Sequence, residues 1–368
     1  MNFPGEAGFI CFFAPTVLLY EKNVQVNDMQ LSTILMTAVN AVVPIILMIA
    51  LGYFLRQKGM LSDAFLQNAN KLAFRVCIPS MLLLNVYSID SLKSIPWDLV
   101  LYASAAVVLI FVLGLVTAVL TTPVAARRGV VLQCTFRSNF AIIGMPLAAA
   151  LGGAEAEAVS AVLSFVTIPL FNILAVVALS LFLPQEGQAH RAGRVFREIV
   201  KNPLIQGVAM GVLCLVIRWA ETELFGEVVF ALNRELKFLY TALTYLKAIA
   251  TPLALLVLGG QFTFSAVRAL RKEITVSVCW RLLLAPLIGI GGAYLMDALG
   301  LISCGGAEYP ALVALFATPV AVSSAIMAGE MKNDEQLGTQ LGVWTSLCSA
   351  VSIFVIVCLL MAVGLIGA

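Results

Sequence analysis

Hydrophobic residues run along this chain in long blocks, neither alternating with polar ones nor confined to a narrow helical stripe. A helix needs about 20 apolar residues to cross a bilayer. Ten blocks approach or reach that length, at 33–55, 68–88, 97–121, 130–151, 157–183, 202–219, 239–262, 274–299, 309–329 and 337–366. Blocks this long and uniform predict helices rather than the alternating strands of a membrane barrel. The expected fold is therefore an all-α polytopic membrane protein with ten transmembrane helices. The longest interior polar stretch, PQEGQAHRAGRVFREIVKNP at 184–203, divides them five and five. The expected organisation is a first five-helix unit at 33–183, a linker at 184–201 and a second five-helix unit at 202–368. The linker reads as an ordinary basic loop, or as a short helix lying on anionic membrane lipid. Residues 1–32 stand apart. Their apolar run GFICFFAPTVLLY is too short to span and contains Pro15, so it reads as an interfacial segment or as a start upstream of Met29 or Met36.

Two blocks are written to break. RSNFAIIGMPLAAALGG, residues 137–153, places Arg137, Asn139, Gly144, Pro146, Gly152 and Gly153 where a continuous helix is expected. LFATPVAVSSAIMAGEM, residues 315–331, clusters Thr318, Ser323 and Ser324 around Pro319. Proline removes a backbone donor and clashes with the preceding turn. The backbone groups so freed are tolerated in a membrane only where protein, water or a ligand satisfies them. The breaks also repeat. Pro79 and Pro252 lie in the second and seventh blocks, Pro146 and Pro319 in the fourth and ninth, and both pairs are 173 residues apart. Five is odd, so a second copy of a five-helix unit must enter the membrane in the opposite sense. The expectation is two inverted five-helix repeats whose broken helices, four and nine, supply one binding site near the midplane.

Composition excludes most other classes. Residues are 61% hydrophobic and 11% charged, against about 25% charged in soluble domains. A net charge of +2 gives no reason to expect a nucleic-acid partner. One histidine, His190, and eight scattered cysteines without a CxxC pair leave no metal centre in view. No cofactor is expected. There is no HExxH, no nucleophile–histidine arrangement and no P-loop, so no enzyme or ATP-driven pump is indicated. Lys and Arg then set orientation. The loops after blocks one, three, five, seven and nine carry Arg56, Lys58, Arg127, Arg128, Arg191, Arg194, Arg197, Lys201, Arg268, Arg271, Lys272 and Lys332. The other side carries Lys22, Lys93, Arg234 and Lys237. That asymmetry puts both termini outside the cytoplasm.

Charges inside the blocks carry the candidate chemistry. Arg137, about two turns into block four, reads either as a counter-charge for an anionic substrate or as a side chain snorkelling to the interface. Asn139 needs partners in hydrocarbon, which a bound ligand or a neighbouring helix supplies. Arg75, Arg281 and Lys247 read as snorkelling side chains. Glu330 reads as an interfacial charge, with proton coupling as the alternative.

At this point the residues resemble a family. NANKLAFRVCIPSMLLL, RSNFAIIGMPLAAALGG, KNPLIQGVAMG, ATPLALLVLGGQF, RLLLAPL and ATPVAVSSAIMAGEMKNDEQLG resemble the auxin efflux carriers. This family comprises the plant PIN-type carriers and bacterial relatives associated with malate or malonate. The resemblance covers roughly 33–368, and Asn139, Gly144 and Pro146 carry its most specific pattern. It implies a scaffold of spans one, two, six and seven, and a transport domain of spans three to five and eight to ten. Spans four and nine cross at their breaks, and one domain moves against the other, elevator fashion. Arg137, Asn139, Thr318, Ser323 and Ser324 become the candidate substrate-binding residues, and Gly144, Pro146 and Pro319 the crossover residues. Two departures bear on the substrate. Ser323 stands where bacterial relatives often have asparagine, and Ser324 where PIN carriers tend to have a second proline. The absence of a long central loop favours a bacterial-type member in the plasma membrane, the bacterial inner membrane.

The expected function is secondary transport of a small organic anion, a malate- or malonate-like carboxylate, by alternating access. The alternatives are a carrier of auxin-like indole acids or other hydrophobic metabolites, and a receptor or channel without coupled transport. A proton or sodium ion is the candidate coupling ion, and the resemblance is consistent with a homodimer.

Overall fold

The computed structural model describes residues 28–88, 97–182, 197 and 200–366, with side chains at Met36 and from Val43 onward. The segment 1–27 and most of the 184–201 linker lie outside the described residues. Among the described residues all regular structure is helical, apart from one isolated antiparallel bridge between Ser138 and Val320. In chain order the helices are α1 (Asp28–Gln57), α2 (Asp63–Leu72), α3 (Ile78–Tyr87), α4 (Trp97–Thr121), α5 (Ala125–Phe136), α6 (Met145–Leu181), α7 (Pro203–Phe225), α8 (Leu232–Glu235), α9 (Lys237–Gln261), α10 (Phe264–Cys279), α11 (Gly292–Ala298), α12 (Glu308–Phe316), α13 (Ser323–Glu330) and α14 (Glu335–Ala362). Widened π turns join α2 to α3, lead into α6, and carry α10 on to α11.

Among the described residues six stretches are long and apolar enough to cross a membrane: Trp97–Thr121, Phe140–Leu181, Pro203–Phe225, Lys237–Gln261, Phe264–Ala298 and Glu335–Ala362. This is a multi-pass membrane protein. The ten expected blocks do not each yield one continuous apolar helix, for identifiable reasons. The α2–α3 rod begins with the polar turns DAFLQNANKL. The helix α1 is described with side chains only over its second half. Blocks four and nine are interrupted, between α5 and α6 and between α12 and α13. Within α6 the backbone leaves the helical region at Gly152 and Gly153, and Gly153 has φ 65° and ψ −158°, torsions that only glycine adopts without strain. Block four therefore ends at this kink.

Burial follows the bilayer. On α4, Leu101, Val108, Leu109, Val112, Val116 and Leu120 are exposed while Leu99, Ala103, Val107 and Ile110 pack inward. An apolar outer face costs nothing where the surroundings are lipid. The half-helix α12 is buried at every position from Tyr309 to Phe316, and so runs through the centre of the core. It packs on α6, while α10 and α13 pack on α14. In a second group α3 packs on α7 and α1 on α9.

The α1–α9 crossing is set by two glycines. A methyl at Gly259 would sit 1.9 Å from the Ile49 carbonyl oxygen, and one at Gly52 would sit 2.2 Å from that of Leu256. Lipid supplies no hydrophobic drive between helices, so close backbone approach is what binds them. Gly259→Ala is expected to destabilise the protein by about 1–3 kcal/mol, the usual cost of overpacking. A lowered melting midpoint in detergent checks this, with an unchanged midpoint counting against the crossing as described.

Candidate functional site: a crossing of two broken helices

The two interruptions meet. The Asn139 N–H donates to the Pro319 carbonyl at 2.8 Å, and the Ala321 N–H donates to the Arg137 carbonyl at 3.2 Å. The Val320 N–H is taken up by the Thr345 hydroxyl of α14 at 3.2 Å. Each break thus satisfies backbone groups freed by the other, as the interior of a membrane protein requires. Proline makes both possible. Pro319 disfavours the helical region at Thr318 before it, and Pro146 sits at the second position of α6, where a missing donor is tolerated. Gly144 lets α12 come close, since a methyl there would lie 2.6 Å from the Ala314 carbonyl oxygen and 2.7 Å from the Phe140 ring.

Arg137 ends α5 and is 3% exposed. Its guanidinium donates to Asn172 Oδ1 at 2.9 Å, to Ser323 Oγ at 3.0 Å and to the Met327 sulfur at 3.2 Å. All three partners are neutral, and among the described residues no carboxylate lies within ion-pair distance of Arg137. Asn139 is 3% exposed, and its side-chain amide nitrogen has no partner among the described residues. Both line a cavity of about 50 Å³. Its other walls are Ser138, Phe140, Ala321 and Ser323 at the crossing, Ile78, Met81 and Leu82 of α3, and Ile168, Phe171 and Asn172 of α6. A space of that size takes a few waters.

The remaining expected residues fall elsewhere. Thr318 is fully buried, and its hydroxyl donates back to the Ala314 carbonyl at 3.0 Å. Ser324 is buried with an unpartnered hydroxyl, and neither residue lines the cavity. Asn172 is a site residue that the sequence reading passed over. A lone amide in the apolar run LFNILAVV was its signal. Ser138, buried with an unpartnered hydroxyl, was likewise passed over.

Arg281 needs a correction. It does not snorkel: it is fully buried, the largest of the described side chains with essentially no exposure. It donates to the Thr135 carbonyl at 3.3 Å and to the Phe316 carbonyl. Arg75 does keep its side chain exposed, with Glu330 3.8 Å away. At the far end of α5, Arg127 joins Asp334 at 2.8 Å and Glu273 at 3.1 Å, which ties α5 to the start of α14 and to the middle of α10.

The arrangement offers a fixed cation, an unused amide donor and hydroxyls around a small space at a double helix break. It holds no nucleophile–base pair, and among the described residues no group of His, Cys, Asp and Glu is placed to hold a metal. It is built to bind. Residues 37–357 match the family of membrane transport proteins. The chain belongs to that family. This membrane transport protein is also similar to an uncharacterized transporter of Methanothermobacter thermautotrophicus, with 25% identity over 328 residues, 87% of this chain and 97% of that protein. The match spans both breaks and the helices around them. It agrees with the auxin efflux carrier resemblance of the sequence, and it makes the protein a member of a family of transporters rather than of enzymes.

Proposed function

We propose that this membrane transport protein is a secondary carrier for a small organic anion of the malate or malonate kind. The observation that carries the reading is Arg137, a buried cation with only neutral partners beside a cavity at the crossing. A charge at that depth costs several kcal/mol unless it is paired, and an anionic substrate is the partner that the site lacks. Asn139 offers the second donor.

The size of the cavity supports alternating access. About 50 Å³ does not hold a dicarboxylate, so loading requires α3 to draw away from the crossing. In this reading 33–183 and 202–368 are inverted repeats of five spans each. Blocks one, two, six and seven form the scaffold, the others form the moving domain, and the cavity lies between them. The two proline pairs at matching offsets and the interlocked breaks support the repeat. The packing of α3 on α7 and of both α1 and α3 on α9 supports the scaffold. The carrier would sit in the plasma membrane with both termini outside the cytoplasm, as a homodimer, with a proton or sodium ion as coupling ion. The apolar walls, Phe140, Phe171, Ile78 and Ile168, favour a second substrate class, a carboxylate with an apolar body such as an indole acid.

Counterflow in proteoliposomes tests this, with labelled malate, malonate and indole-3-acetate in separate arms. Saturable exchange of one of them is expected, reduced about tenfold or more in Asn139→Ala, the scale of one hydrogen bond to a charged group. Exchange that survives the substitution moves the site away from the crossing. Exchange of the indole acid alone replaces the dicarboxylate reading.

A further inference from the structure

We infer that Arg281 is a positioning residue. It neutralises the convergent C-terminal ends of both broken helices and so leaves the Arg137 charge free for substrate. Transport enters this inference only through the carrier reading above, while the clamp itself does not depend on it.

A helix that stops inside the membrane leaves its last carbonyls without partners and concentrates about half a negative charge at its end. Two helices stop here. The helix α5 ends at Phe136 and α12 at Phe316. The two ends therefore present about one negative charge between them, in a low dielectric where it is poorly screened. The guanidinium of Arg281 spans them, with one nitrogen on the Thr135 carbonyl and another on the Phe316 carbonyl. The positive charge thus lies against both carbonyls at once, and it is the charge that offsets the two helix ends.

Arg281 is itself held from outside the crossing. It sits in the π turn Trp280–Leu284. The Trp280 indole donates to the Thr117 hydroxyl of α4 at 3.1 Å. About two turns on, the Tyr102 hydroxyl of α4 donates to the Gly289 carbonyl at 2.7 Å. Cys134 is the other titratable group packed against Arg281, and it contributes no carboxylate. The charge on Arg281 is thus spent on backbone. Arg137 faces the other way, toward Asn172, Ser323 and the cavity. One arginine holds the crossing together and the other is left to meet an anion.

The test compares Arg281→Gln and Arg281→Lys with wild type in nanodiscs, first without any ligand. Hydrogen exchange is read at the amides that lock the crossing, Asn139 and Ala321, and at Asp334, whose N–H bonds the Ala126 carbonyl at the distant end of α5. Arg281→Gln is expected to speed exchange at Asn139 and Ala321 at least tenfold and to leave Asp334 within twofold. Arg281→Lys, which keeps the charge, is expected to stay within threefold of wild type at all three. Unchanged protection at the crossing in Arg281→Gln overturns the inference. So does equal loosening at Asp334, which would mark a general packing defect. Should Arg281→Gln not assemble, Arg281→Lys decides: loss of protection confined to the crossing and more than tenfold overturns charge compensation. Malonate counterflow is the second arm. A half-saturation concentration raised at least tenfold in Arg281→Gln, with the maximal rate changed less, is expected, and rescue by Lys supports the charge. A wild type that exchanges no malonate removes that substrate and leaves the exchange result to stand on its own.

Discussion

Arg137→Gln is expected to abolish saturable anion transport and yet leave the ligand-free protein at least as heat-stable as wild type. The two effects have one cause. An arginine near the bilayer midplane costs at least about 2.5–3.5 kcal/mol on insertion scales. Hydrogen bonds to Asn172, Ser323 and Met327 offset part of that cost, and no carboxylate among the described residues offsets the rest. Glutamine keeps an amide for Asn172 and Ser323 and removes the charge, so the empty site becomes cheaper to fold. The bound site loses its counter-charge, and removing one partner of a buried, hydrogen-bonded charge pair costs about 2–5 kcal/mol. At about 1.4 kcal/mol per tenfold, that is roughly 30- to several thousand-fold in affinity. Thermal melting with and without the transported anion reads both terms. The wild-type midpoint should rise with ligand and that of the variant should not. A variant clearly less stable than wild type in the absence of ligand would make Arg137 a structural residue, whatever happens to transport.

The breaks were legible because each contradicts its surroundings. Arg137, Asn139, Gly144 and Pro146 have no reason to stand in an apolar helix unless the helix stops there, and the same holds for Thr318, Pro319, Ser323 and Ser324. The meeting of the breaks was expected from the matching proline offsets. The backbone exchange between Asn139 and Pro319, and between Ala321 and Arg137, was not, because hydrogen bonds between distant segments leave no local signature. Arg281 shows the main reason for the rest. Sequence position gives the depth of a residue in the membrane, but not the side of the helix on which neighbours lie. At the same depth an arginine turned toward lipid snorkels and one turned inward clamps carbonyls. Thr318 and Ser324 stand back from the cavity for the same reason, and Asn172 enters it. The ten blocks do not stand out as ten continuous apolar helices because α2 begins polar and because broken helices do not form single apolar cylinders.

Gly144→Val is expected to cost about 3 kcal/mol, the upper end of ordinary overpacking, and to remove transport even where protein still assembles. The reason lies in what the new carbon atoms would meet. The Phe140 ring, at 2.7 Å, is the end of a side chain and has some freedom to turn. The Ala314 carbonyl oxygen, at 2.6 Å, belongs to a half-helix that is buried from Tyr309 to Phe316. It yields only if α12 moves. Because α12 leads directly into Pro319, moving it pulls the Pro319 carbonyl from the Asn139 N–H and widens the crossing on which Arg137 and Asn139 are mounted. Gly144→Ala should therefore fall between glycine and valine in both melting midpoint and transport rate. The added change Phe140→Ala separates the two contacts. If the backbone contact governs, removing the ring leaves the valine variant inactive. Restored transport in Phe140→Ala/Gly144→Val would place the obstruction in the ring, and the close approach of α12 would then not be what glycine is needed for at this position.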